Sequence, residues 1–168
     1  MHPEITVIDD PVVLLADTAL AERVNLLGER SAVAQQLKVP ITSAALFAKY
    51  AAAQQQHLVL AMADEQVVGF LKSGVKHLFY VDRKGVYTEL DPVCVLDFYV
   101  LEEYQRLGIG VQLFSHLLTS HHIKAAQLAY DRPSSKLLAF LKKHAQLVDF
   151  IPQPNNFVIF DDYFLTEA

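Results

Sequence analysis

From Val95 to Leu118 the sequence passes from a strand to a glycine turn to a helix without a break. Val95-Leu96-Asp97-Phe98-Tyr99-Val100 is β-branched and aromatic, a short charged connection follows, and Gln105-Arg106-Leu107-Gly108-Ile109-Gly110 opens an apolar repeat at Ile109, Leu113, Phe114, Leu117 and Leu118. Gly108 and Gly110 carry no side chain, so a ligand can approach the backbone closely there. The first N–H groups of a helix lack partners inside it and carry the positive end of its dipole. Such an opening suits a pyrophosphate, although two glycines can equally form a tight strand-to-helix turn and nothing more. A Rossmann fingerprint is excluded because Val111 and Leu113 stand where its third glycine would come, and no Gly-Lys-Ser/Thr ending marks a Walker loop.

The flanking patterns extend this unit. Residues 4–9 read as an edge strand. Asp17 caps a helix with Leu20, Val24, Leu27, Ala34 and Leu37 on its apolar side, weakened or broken at Gly28 and ended by Pro40. Residues 9–17 read as a short linker. Thr42-Ser43 opens a second helix to about Ala53. Strands follow over residues 57–62, over 66–82 with a break near Gly74, and over 86–101 with a break at Asp91-Pro92. Short links predict an antiparallel meander for them. After the glycine turn come a helix to about His121, a strand over 127–130, a helix over 134–146 that buries Leu137, Leu138, Phe140 and Leu141, and a strand over 157–160. The order predicts an α+β arrangement around one mixed sheet, a single domain over residues 1–168. With 52% hydrophobic and 20% charged residues the chain can fill one core.

Several function classes drop out. The net charge is −5 with scattered basic residues, so no nucleic-acid footprint is present. Asp64, Lys72 and Asp97 interrupt the apolar runs, and Met1-His2-Pro3-Glu4 does not open a signal peptide, so no membrane partner is expected. Cys94 is the only cysteine, which excludes an internal disulfide and fits a reducing compartment. His121-His122 invites a metal reading, but neighbours on a helix point in different directions and no carboxylate or cysteine stands at ligand spacing, so no metal is expected.

The string Gln105-Arg106-Leu107-Gly108-Ile109-Gly110 resembles the acetyl-CoA signature of GNAT acetyltransferases. Four further strings narrow the resemblance: Pro40-Ile41-Thr42-Ser43-Ala44, Pro92-Val93-Cys94-Val95-Leu96-Asp97-Phe98-Tyr99, Asp131-Arg132-Pro133-Ser134-Ser135-Lys136-Leu137-Leu138, and Pro152-Gln153-Pro154-Asn155-Asn156-Phe157-Val158-Ile159-Phe160. In this order, from about Gly28 to Phe164, they are similar to alpha-tubulin N-acetyltransferases. The family turn commonly carries histidine and basic residues where Leu107, Ile109 and Val111 stand.

The resemblance implies a GNAT-like fold, a mixed central sheet flanked by helices. It implies transfer of acetyl from acetyl-CoA to a lysine of alpha-tubulin on the lumenal side of microtubules, by direct attack in a ternary complex without a metal. The location implied is the cytoplasm and cytoskeleton, cilia and flagella included. Backbone groups of Leu107, Gly108, Ile109, Gly110 and Val111 would hold the pyrophosphate, after Gln105 and Arg106. The strand at Phe98, Tyr99 and Val100 would splay from its neighbour and take the pantetheine arm. Ser134, Ser135, Lys136 and Lys143 would touch CoA. Gln35, Cys94 and Asp131 match the catalytic positions, and Ile41, Asp97 and Arg132 those that shape the peptide cleft. Read without the resemblance, Asp131 is a residue beside a helix N-cap, Cys94 a small core residue, Gln35 a solvent-facing side chain, and the lysines a solvated helix face. Two other functions remain open at this point: acetylation of another protein or a small amine, and microtubule binding without turnover.

Overall fold

The computed structural model describes residues 2–165; Met1 and residues 166–168, the ends of the expected domain, lie outside the described residues. The strands are β1 (Glu4–Ile8), β2 (His57–Ala63), β3 (Gln66–Val75), β4 (Leu78–Val81), β5 (Tyr87–Leu90), β6 (Val93–Val100), β7 (Ala129–Asp131) and β8 (Phe157–Val158). The helices are α1 (Pro11–Ala16), α2 (Thr18–Ala34), α3 (Ala44–Gln54), α4 (Ile109–His121) and α5 (Ser135–Ala145). Six strands form one sheet in the order β1-β2-β3-β6-β7-β8, antiparallel except for the parallel pair of β6 and β7. This is the mixed sheet that the element order predicts, flanked by helices as the resemblance implies.

The central strands are nearly continuous runs of buried residues because helices cover the sheet. Leu58, Leu60, Phe70, Leu71, Leu113 and Leu117 are all within 2% of full burial. A second cluster, with Leu78, Tyr80, Cys94, Leu96, Ala129 and Ile159, seats the β4–β5 hairpin. The hairpin forms its own two-stranded sheet, so the expected meander is interrupted: β3 pairs with β6, not with β4. The Gln153 side chain holds β4 at its far end, accepting from Val81 N–H (2.9 Å) and donating to Val81 C=O (3.0 Å).

Local capping explains the helix starts. Asp17 Oδ1 accepts from Leu20 N–H (3.0 Å), and Ser43 Oγ accepts from Leu46 N–H (3.1 Å). Four sequence expectations change. The linker before Asp17 is helical, because Asp10 Oδ1 accepts from Val12 N–H (2.9 Å) and Pro11 presets the first turn. The long helix stops at Ala34 rather than near Pro40, with Gln36 at φ 60 turning the chain away. Gly28 neither weakens nor breaks α2, which runs through it, and β3 continues past Gly74 to Val75.

Candidate active site

The site begins at an irregularity in the sheet. On the β3 side, Lys72 pairs with Asp97 and Ser73 with Val95, so Leu96 is an extra residue in β6. A bulge bends its strand and tends to end pairing on the other edge. The ladder between β6 and β7 holds only at Cys94–Ala129 and Val95–Tyr130. Beyond Val95 the two parallel strands part, and the β6 edge from Leu96 to Val100 has no strand partner among the described residues. Phe98, Tyr99 and Val100, where the resemblance implies a splay, lie on this unpartnered edge. Phe98, Phe114 and Phe140 fill the space between β6, α4 and α5, with ring centroids 5.5 to 6.5 Å apart.

The glycine turn stands at the end of the same strand. Gln105 Nε2 donates to Val100 C=O (2.7 Å), and Gln105 Oε1 accepts from Lys136 Nζ (2.6 Å). One amide therefore ties β6, the turn and α5 together. Arg106 (φ 66) and Gly108 (φ 83) are both left-handed, and Gly108 is the N-cap of α4. The first backbone bond of the helix is Gln112 N–H to Gly108 C=O (3.1 Å), so the N–H groups of residues 107–111 precede it. Nothing in the protein lies within 4 Å of where a Gly108 Cβ would be, and a Gly110 Cβ would only touch the rings of Phe140 and Phe98 at 3.5–3.6 Å. Ile109 is core, at 1% exposure, whereas Leu107 and Val111 face outward. On α5, Ser134 Oγ caps the helix by accepting from Leu137 N–H (3.1 Å), and Ser135 is its first residue. Lys136, Phe140 and Lys143 follow at helical spacing on one face. A groove of about 630 Å³ runs between α4 and α5 from Val111 past Phe114 and Phe140 to His144. Unpaired amides, two nearby lysines and an open strand edge fit a diphosphate ester with an extended amide arm, the chemistry of acetyl-CoA.

At the other side of the opening, carboxylates and donors converge. Asp131 ends β7 where β6 has just left it; its side chain is 15% exposed, and Oδ1 accepts from Arg132 Nε (3.1 Å). Arg132 is held at φ 42 with its N–H on Asn156 C=O (3.1 Å), and a left-handed non-glycine residue is strained. Asp97 is 4% exposed and accepts from Ser31 Oγ (2.8 Å), Gln35 Nε2 (2.9 Å) and Thr42 Oγ1 (2.6 Å). Lys72, 6% exposed, donates to the Ile41 carbonyl; burial pushes its pKa down, and Asp97 and, less strongly, Asp131 oppose that shift. Gln35 and Ile41 are thus drawn to one place. Asp97, expected to touch peptide, has its carboxylate occupied by protein donors and acts on the cleft through them.

Cys94 stands apart. It is fully buried, its Sγ–H donates to Pro92 C=O (3.4 Å), and burial pushes the thiol up to about 12. At neutral pH it keeps its proton, so it does not suit the role of a base that accepts one. We expect iodoacetamide to leave Cys94 unlabelled in the folded protein near neutral pH and to label it once the chain is unfolded; rapid labelling of folded protein contradicts this placement.

Ser31, Thr42, Lys72 and Gly28 were not singled out as site residues by the sequence. A signal existed for two: Ser31 lies one helical turn before Gln35, and Lys72 is a lone cation in the buried run of β3.

A family model described as GNAT acetyltransferase, Mec-17, matches residues 4–168. The chain belongs to this family. Its relatives in the Mec-17 family include an alpha-tubulin N-acetyltransferase of Phytophthora infestans, 55% identical over 87% of this chain and 89% of that protein. The alpha-tubulin N-acetyltransferase of Tetrahymena thermophila is 48% identical over 89% of this chain and 36% of its own length, and alpha-tubulin N-acetyltransferase 1 of Danio rerio 47% over 86% and 50%. The chain therefore spans about half or less of those two longer Mec-17 proteins. Among solved structures, an aminoglycoside N-acetyltransferase in complex with CoA is 17% identical with a TM-score of 0.53, over 91% of this chain and 95% of that one. At that identity it supports the fold alone. As a GNAT acetyltransferase the protein uses acetyl-CoA as its acetyl donor.

Proposed function

We propose that this chain transfers acetyl from acetyl-CoA to a lysine side chain of alpha-tubulin in microtubules, by direct attack in a ternary complex. The observation that carries the reading is the open edge of β6, flanked by Asp131 where pairing with β7 stops and by the unpaired amides of residues 107–111 beyond the strand's C-terminal end. The names of the Phytophthora, Tetrahymena and Danio relatives support the choice of tubulin. That substrate supports a location in the cytoplasm with the cytoskeleton, and we extend the proposal to cilia and flagella. Among the described residues no helix is long and apolar enough to cross a membrane.

The chemistry assigns work to each part. The amides at residues 107–111 hold diphosphate oxygens in place of water, with Lys136 and Lys143 adding charge. The open edge of β6 offers backbone groups to the pantetheine arm and a donor to the oxyanion that forms on attack. A lysine ammonium of pKa about 10.4 needs roughly 4–5 kcal/mol to be neutral near pH 7. Asp131 attracts that ammonium and takes its proton directly or through a water. Ile41 and Arg132 border the incoming peptide. Residues 1–168 form one such catalytic domain.

The test is incubation with microtubules and labelled acetyl-CoA, followed by mapping of the modified residue, with calorimetry for acetyl-CoA alone. We expect one alpha-tubulin lysine to be labelled. Labelling of small amines with tubulin left unmodified overturns the substrate, and absence of acetyl-CoA binding by folded protein overturns the whole reading.

A further inference from the structure

Asp97 decides how Gln35 is oriented. A carboxylate only accepts hydrogen bonds, whereas a hydroxyl has a single proton to donate. Ser31 Oγ donates that proton to Asp97 Oδ1 (2.8 Å). Toward Gln35 Nε2, 2.9 Å away, Ser31 Oγ can therefore only accept. Gln35 Nε2 also donates to Asp97 Oδ1 (2.9 Å); with Ser31 Oγ and Asp97 Oδ1 only 2.8 Å apart, one amide hydrogen is shared between the two acceptors. Exchanging the amide N and O would set an acceptor against a carboxylate. The orientation of this amide is fixed by the chemistry of its neighbours.

The amide oxygen is left as an acceptor. Among the described residues no donor is recorded on Gln35 Oε1, and the side chain is only half-buried at the end of α2. Thr42 completes the arrangement from the opposite side, donating to Asp97 Oδ2 at 2.6 Å. Thr42 and Ser31 are both fully buried, so neither can reach a bound peptide directly. Without Thr42, Asp97 Oδ2 would be left buried and unanswered, and without Ser31, Oδ1 loses one of its two donors and Gln35 Nε2 one of its two acceptors.

We propose that Ser31 and Thr42 are positioning residues which, through Asp97, lock the Gln35 amide so that Oε1 accepts a hydrogen bond from the N–H of the substrate amine. The inference rests on the lysine acetyltransferase reading given above and adds the device that aims the nucleophile. Asp97 lies two residues past the last β6–β7 pair, which sets the device at the mouth of the opening. Accepting one N–H of the amine fixes the direction of its lone pair, and a neutral amide does this without competing for the proton.

The test is a double-mutant cycle in the full chain, with a spectroscopic check. Ser31→Ala and Thr42→Val each lower kcat about 10- to 100-fold, the range of a lost hydrogen bond to a charged group, with KM for acetyl-CoA unchanged. Thr42→Ser retains wild-type kcat. In a Gln35→Ala background, Ser31→Ala adds no further loss, because its effect runs through Gln35. Losses that multiply in the double variant overturn the proposal, as does wild-type kcat in both single variants. Where Thr42→Val fails to fold, Ser31→Ala carries the cycle. Heteronuclear NMR supplies a readout free of turnover: one of the two side-chain amide hydrogens of Gln35 is protected from exchange in the wild type and loses protection in Ser31→Ala. Rapid exchange in the wild type overturns the proposal. A wild type inactive on tubulin counts against the functional reading instead, and the exchange measurement still decides this one.

Discussion

Asp131→Asn lowers kcat for tubulin acetylation by about 10²- to 10⁴-fold, the range of a lost general base, and leaves acetyl-CoA affinity as it was. The substitution keeps the shape of the side chain and removes its charge. It sits at the end of β7, 15% exposed, with Arg132 Nε on one oxygen (3.1 Å). Neither the amides of residues 107–111 nor the open edge of β6 depends on that charge. The loss therefore appears in the chemical step. Raising the pH of the assay restores part of it, because a larger fraction of lysine is then neutral without help. Steady-state rates over a pH series, with calorimetry for acetyl-CoA, check both halves. Asp131→Asn with near wild-type kcat would remove Asp131 from the mechanism and leave proton removal to water.

Gly28→Ala destabilises the protein and lowers its activity, although alanine is the better helix former by about 1 kcal/mol. The reason is a backbone crossing. A Cβ on Gly28 would lie 1.9 Å from the Thr42 carbonyl oxygen and 2.9 Å from its carbon. Neither atom belongs to a flexible side chain, so α2 and residues 40–43 must move apart. Asn25, one turn earlier, accepts from Ala44 N–H (2.7 Å) and holds the same segment, which adds to the cost of moving it. Forced overpacking of this kind costs about 1–3 kcal/mol, and in a chain of this size each kcal/mol lowers Tm by about 2–4 °C. The displaced residue is Thr42, so its bond to Asp97 lengthens and kcat falls as well. Thermal unfolding and steady-state kinetics on the same preparation check this; a wild-type or higher Tm would mean the crossing yields without cost.

The glycine turn, the caps at Asp17 and Ser43 and the α+β order were legible because each depends on residues that follow one another. A left-handed glycine, a side-chain cap and a period of apolar residues are set within one or two turns of chain. The same locality misled at Gly28 and Gly74. Read by neighbours alone, a glycine is a breaker; in the fold, α2 runs through Gly28 because Thr42 passes against it, and Gly74 sits in β3 against Gln56 and Leu96.

By itself, then, the sequence determined the elements and the glycine turn, and its family resemblance put forward Gln35, Asp97 and Asp131 as candidate site residues. Only the tertiary structure decided which atoms each meets. Ser31, Gln35 and Thr42 reach Asp97 across 66, 62 and 55 residues of chain. Burial of Cys94 is likewise set by strands distant in sequence, and it pushes the thiol of this catalytic candidate up to about 12. Hydrogen-bond direction and desolvation depend on which atoms meet after the chain closes on itself, and no local pattern records that.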